Sequence, residues 1–220
     1  MFRRIFVCAL VLAAMFCMTG CGGDDKPAAD ATADKAVLAY AELTTGGKSD
    51  NAAGFTDADK AEISTAIVGA FIKNIADVAP LNDQSAQAVT AAFHEKFSKD
   101  MKFTATLKKD DATAPVVELK TTPMDSDAAI QAAGANDEWM ALVGIVGQLK
   151  ADGATDDQLK ANNDVQAAAV NALTKYIQSI PLQGEQTFDV TCAQVKGSDD
   201  KTHWAPADLD AFTKFLTGQK

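Results

Sequence analysis

Only a few side chains in this 220-residue chain are suited to chemistry near neutral pH. They are His94, His203 and, beyond the first 21 residues, the single cysteine Cys192. His94-Glu95 begins like a helical zinc signature, which needs a second histidine four residues after the first; Ser98 stands there instead. The same spacing leaves His94 on the polar face of its helix. Asp57-x-Asp59 with Glu62 starts like a calcium loop but lacks its third ligand and central glycine. Those acids suit a helix N-terminus, whose dipole favours negative charge. Cys192 falls on the apolar phase of an alternating run with no basic neighbour, the setting of a small buried hydrophobe rather than a nucleophile. The chain has no Gly-x-Ser-x-Gly elbow and no phosphate-cradling glycine loop. His203 and Trp204, near the end of a short strand, are the candidate binding residues, placed where a pocket rim could form. The expectation is a non-catalytic protein with no metal site and no cofactor.

The elements that must position these residues follow from hydrophobic period. DKAVLAYAELTT, 34–45, reads as a short amphipathic helix stopped by Gly46-Gly47. Ile63, Ile67, Val68, Phe71, Ile72, Ile75 and Val78 recur at helical spacing after a Thr56–Asp59 capping box. Val89, Phe93 and Phe97 mark a helix over about 83–99. The period then shortens to two. Met101, Phe103, Ala105 and Leu107 face one way, Lys102, Thr104, Thr106 and Lys108 the other, and APVVELKTT returns after Asp110-Asp111. Residues 101–122 are thus a hairpin. A helix from about 125, interrupted near Gly134, carries Trp139, Leu142, Val143, Val146 and Leu149. Another, capped by Thr155 and Gln158, runs to Ile180. EQTFDVTCAQVK and KTHWA form a second hairpin, and 206–217 a last helix. The fold class is α+β: helices packed on one face of a four-stranded, mainly antiparallel sheet of two hairpins, with a long helical insert.

The N-terminal stretch reads as an address. Met1-Phe2-Arg3-Arg4 is followed by an apolar run from Ile5 to Met18, too short for a bilayer-crossing helix, which needs roughly 20 residues. The exit Met18-Thr19-Gly20-Cys21 resembles the lipobox of bacterial lipoproteins, which implies cleavage before Cys21 and acylation of its thiol. The division is therefore a signal peptide over 1–20, a Gly-, Pro- and Asp-bearing flexible tether over 21–33, and one α+β domain over 34–218. The lipid bilayer is the first partner, through acylated Cys21, and the location is extracytoplasmic on a cell membrane or outer membrane.

Composition narrows the rest. Losing Arg3 and Arg4 with the signal leaves 20 − 2 = 18 basic against 30 acidic residues, a charge of −12. Such a surface lacks the basic patch that nucleic acid or anionic lipid requires. With Cys8 and Cys17 in the signal and Cys21 lipidated, Cys192 has no partner for an intramolecular disulfide.

The helix DKAVLAYAELTTGG, the hairpin MKFTATLKKDDATAPVVELKTT and the ending THWAPADLDAFTKFLTG together resemble bacterial lipoproteins with a domain of unknown function, related to nuclear-transport-factor-2-like and cystatin-like folds. The resemblance implies binding of a small molecule, a peptide or an envelope protein. The alternatives are a structural or assembly accessory of the envelope, marked by an exposed apolar patch, and an enzyme in which His203 and an acid share a cleft.

Overall fold

The computed structural model describes residues 31–76, 78–134 and 136–219. The signal segment, Cys21 and all but the last three positions of the tether lie outside the described residues.

Among the described residues, eight helices and four strands follow one another. Helices α1 (Ala33–Gly46), α2 (Asp57–Ile75) and α3 (Asp83–Asp100) precede the hairpin β1 (Thr104–Lys109) and β2 (Val116–Thr121). An insert of four helices follows: α4 (Ser126–Gly134), α5 (Asp137–Ala151), α6 (Asp156–Ala161) and α7 (Asn163–Ser179). The hairpin β3 (Gln186–Lys196) and β4 (Thr202–Pro206) and helix α8 (Leu209–Thr217) complete the chain. The sheet is antiparallel throughout and open, in the order β1-β2-β3-β4.

The 11-residue β3 joins the two hairpins. Its first half pairs with β2, setting Val190 opposite Val117 and Phe188 opposite Leu119, and its second half pairs with β4. Because antiparallel partners share a face, these pairs build the inner surface on which α1 lies, itself buried from Ala36 to Leu43 along one side. On the far side of α3, Phe93 and Phe97 pack ring to ring at 4.7 Å, and α3 in turn packs on α7. Phe97, Phe212, Leu119, Leu142, Leu173 and Ile177 are among the largest fully buried side chains of a single continuous core.

Local chemistry sets the ends. Thr56 and Asp59 form the expected capping box at α2, and Thr155 with Gln158 forms one at α6. The helix expected from Thr155 to Ile180 is divided, because Asn162 is extended and turns its side chain onto Asp164 N and Val165 N to cap α7. The helix before it breaks similarly, where Asn136 accepts from Trp139 N and starts α5. Gly47, at φ 69°, ends α1 in a left-handed turn; a Cβ there would collide with the His94 ring. His94 thus departs from its expected polar face. It is half-buried between α3 and α2, its Nε2 donating to Ser64 O at 2.9 Å. Leu107 also departs: it is exposed at the outer end of edge strand β1, beside a bulge.

The insert begins and ends at one point. Met124 bridges Leu182, Asp125 N donates to Pro181 O at 2.9 Å, and Gln183 N donates to Pro123 O at 2.8 Å. The end of α8 closes over this junction through Met124 N to Leu216 O and Ser126 Oγ to Gly218 O.

Candidate functional site

The structure separates the two candidate binding residues. As neighbours in β4, His203 and Trp204 leave the strand on opposite sides. Trp204 is half-buried opposite Gln194, whereas His203 is 3 % exposed. Around His203 lie the Phe55 ring at 4.4 Å between centroids and the Tyr40 ring at 6.5 Å, themselves edge to face at 5.4 Å. Three elements make this corner: α1 supplies Tyr40, the approach to α2 supplies Phe55, and β4 supplies the imidazole.

Carboxylates close its open edge. A Cβ on Gly197 would lie 2.9 Å from Asp59 Oδ2, 3.3 Å from Asp199 Oδ1 and 3.4 Å from His203 Cε1, so the glycine lets three titratable side chains converge on the β3–β4 turn. Asp59 is nevertheless spent on structure. Its Oδ2 accepts from Thr56 N and Thr56 Oγ1, and its Oδ1 accepts from Ser198 N at 3.0 Å, pinning the start of α2 to that turn. Burial works to raise its pKa, but the Thr56 and Ser198 hydrogen bonds and the imidazole outweigh it, leaving Asp59 below the usual carboxylate range. For His203 burial is the larger influence. It holds the imidazole below its ordinary value despite the pull of Asp59 and Asp199. Burial, then Asp59 and Glu62, push the Tyr40 phenol up.

The corner therefore pairs a histidine with acids yet keeps them occupied or covered. His203 Nδ1 is buried with no hydrogen-bond partner among the described residues. Its ring is faced by Phe55 and turned away from Trp204. Among the described residues no three His, Cys, Asp or Glu side chains come together to hold a metal ion. Burial pushes the Cys192 thiol up to about 12, leaving it protonated at neutral pH and inert as a nucleophile.

A depression of about 350 Å³ lies at the α5–α6 turn, lined by Leu149, Asp152, Ala154, Gln158, Leu159 and Asn162. That is near the small end of ligand pockets, which need a few convergent polar groups. Here the polar groups serve the fold: Gln158 caps α6, Asn162 caps α7, and Asp152 accepts from Gln148.

The second region is the outer face of α5, which periodicity in the sequence did not single out. Trp139, Leu142 and Val146 bury its inner side toward α7, assisted by Asn136 Nδ2 to Ala172 O and by the Lys175–Glu138 ion pair. At 100° per residue the opposite side carries Asp137, Met140, Ala141, Gly144 and Gln148, with Gly147 and Ile145 toward its edges and Val143 nearer the buried stripe. Met140 is 52 % exposed, Ile145 46 % and Val143 36 %. With Leu107 these are the large exposed apolar side chains among the described residues. Val143, expected inside, sits at the rim because α7 covers only the Trp139–Leu142–Val146 stripe. A Cβ on Gly144 or Gly147 would meet nothing within 4 Å.

No family model matches the chain, and no curated protein does. Among solved structures, it is similar to the crystal structure of a candidate lipoprotein, ycdA, from Bacillus subtilis, at a TM-score of 0.53 and 16 % identity. The likeness covers 86 % of this chain and 56 % of the other, so the chain spans about half that protein's length. At that identity the fold is what the two share. No helix among the described residues is long and apolar enough to cross a membrane.

Proposed function

We propose that this is a lipid-anchored envelope protein, held to a bilayer through acylated Cys21, whose domain acts without catalysis by docking a protein partner on the outer face of α5. The exposed Met140, Val143 and Ile145 on one helix carry this reading. Contiguous exposed apolar surface on a soluble domain marks an interaction site, and a convex helix face suits a macromolecule better than a small ligand. The enzyme reading is weakened by the covered imidazole of His203 and the engaged carboxylate of Asp59. The anchor is supported by the Thr19-Gly20-Cys21 exit and by the fold shared with a candidate lipoprotein. Kinship with the nuclear-transport-factor-2-like and cystatin-like lipoproteins belongs to the same proposal.

Two measurements test it. Wild-type protein should enter the detergent phase on cloud-point separation and Cys21→Ser should stay in the aqueous phase; equal partitioning refutes the anchor. A Met140→Glu, Ile145→Glu double variant should keep its melting temperature and lose the complexes that cross-linking captures on native membranes. An unchanged complex pattern refutes docking through α5.

A further inference from the structure

We infer that α2 is an acid-released flap: its N-terminal half and the 47–56 connection lift from the domain when the two imidazoles beneath them, His203 and His94, take up protons. The device is separate from docking on α5. The reading of Cys21 as an anchor adds that the domain would meet the acidity outside the cytoplasm directly.

The chain has two histidines, and both lie against α2 or the segment that leads into it. His94, from α3, donates from Nε2 to Ser64 O of α2 at 2.9 Å. The end of α1 covers its other nitrogen, since a Cβ on Gly47 would come within 2.4 Å of Nδ1. His203, from β4, lies 4.4 Å between ring centroids from Phe55, which immediately precedes the Thr56 cap. One imidazole therefore sits under the middle of α2 and the other under its root.

Little else holds this half of the helix. Among the described residues, Ile67 and Val68 are the buried apolar side chains of α2, and both lie beyond its midpoint. By contrast α1 is buried along Ala36, Val37, Ala39, Tyr40, Ala41 and Leu43. The hydrogen bonds that join α2 and its cap to the rest of the domain, among the described residues, are Ser198 N to Asp59 Oδ1, the Thr56–Ser198 hydroxyl pair and His94 Nε2 to Ser64 O. A segment with so few buried contacts opens at a lower free energy than the core. The far end is better fixed, where Phe71 stacks on Tyr176 at 5.7 Å, and supplies the pivot.

The closed form has no good place for the extra protons. His203 Nδ1 is buried without a hydrogen-bond partner among the described residues, so an imidazolium there carries an unmet donor. The titratable groups facing it are Tyr40 from α1, Asp59 from α2 and Asp199 from the β3–β4 turn. Lys201 pairs with Asp199 at 3.6 Å, and Glu62 acts on Tyr40. Burial lowers His203 by more than the two carboxylates raise it. Burial also leads at His94, opposed by the Ser64 carbonyl. Once lifted, both rings are hydrated and return toward the ordinary 6.5. The lifted form thus binds protons that the closed form refuses, and acid favours it from pH 6.5 downward.

The test is amide exchange on the full chain at pH 7 and pH 5, with rates corrected for the intrinsic pH dependence of exchange. Protection over 55–66 should fall at least about tenfold at pH 5, while the β2–β3 ladder changes by less than about twofold. A double variant joins His203→Phe to His94→Gln, whose amide can still donate to Ser64 O. It should hold 55–66 within about twofold between the two conditions. The flap is overturned if 55–66 keeps its protection, if sheet and flap lose theirs together, or if the double variant retains the acid response. Histidine titration of the wild-type chain by NMR covers a variant that does not fold. Both imidazoles should titrate below 6.5, and a His203 midpoint at or above that value overturns the inference as well.

Discussion

The His203 corner and the outer face of α5 hold the chain's most unusual side chains and treat them in opposite ways. In the corner, groups able to do chemistry are enclosed: the imidazole lies under Phe55 and Tyr40, and the nearby carboxylate of Asp59 clamps α2 to the β3–β4 turn. On α5, groups with no chemistry of their own are left in water, and two glycines weaken the helix although a Cβ at either would meet nothing among the described residues. The difference separates residues that hold the fold from residues the fold does not need. A reactive type, once buried and occupied, is a poorer pointer to function than an inert type left exposed where nothing inside requires it.

Four experiments test that contrast. The largest effect is expected from Phe55→Ala, which empties the space over His203. Truncating a buried phenylalanine costs about 3–5 kcal/mol, seen as a lower midpoint in urea, and a loss under 1 kcal/mol would mean the corner is open. Asp59→Ala should cost about 1–2 kcal/mol, the usual loss for a helix cap, with opening of the Gly197–Lys201 turn in amide exchange. A cost near zero would dissociate the clamp from stability.

The third experiment is a pH series. Burial favours neutral His203 and His94 in the folded chain, so below the ordinary histidine value of 6.5 the unfolded state binds more protons. Stability should be full above pH 6.5 and fall as the pH drops through the depressed folded values. Asp59 acts lower down: its contribution is present above the ordinary 3.8 and disappears as the pH falls through its folded value. His203→Phe should shrink the first window to the part His94 contributes while leaving the second, as read from urea midpoints between pH 7 and pH 3. An unaltered slope between pH 6.5 and pH 5 would mean His203 is solvated.

The smallest change belongs to α5. Gly144→Ala should stabilise the chain by about 0.5–1 kcal/mol, raising the melting temperature by about 1–4 °C for a domain of this size. A destabilised variant would show that the glycine has a contact inside the fold after all.

Much of the architecture is legible in the sequence because it rests on local signals. The Thr56–Asp59 and Thr155–Gln158 boxes, the period-two runs around Leu119 and Val190, and the stop at Gly47 each act within a few residues. What the sequence hides depends on distant partners. His94 looks polar on a helical wheel and becomes half-buried only because α2 and Gly47 come to meet it. Val143 looks like core until α7 is seen to cover just one stripe of α5. The break at Asn162 had a local signal, an Asn-Asn pair suited to capping, which the continuing apolar stripe obscured. In the candidate site, the position of His203 was readable but its surroundings were not. Tyr40, Phe55 and Asp59 precede it by more than 140 residues, and no period links them to β4.

The junction at Met124 and Leu182 carries one more implication. The polypeptide leaves the sheet and re-enters it through a single cross-strand bridge flanked by reciprocal hydrogen bonds, like a drawstring around the neck of a bag. Residues can be gained, lost or exchanged in the connections between α4 and α7 without altering the register of β2 on β3. The exposed outer face of α5 is thus free to diverge while the scaffold that displays it stays unchanged.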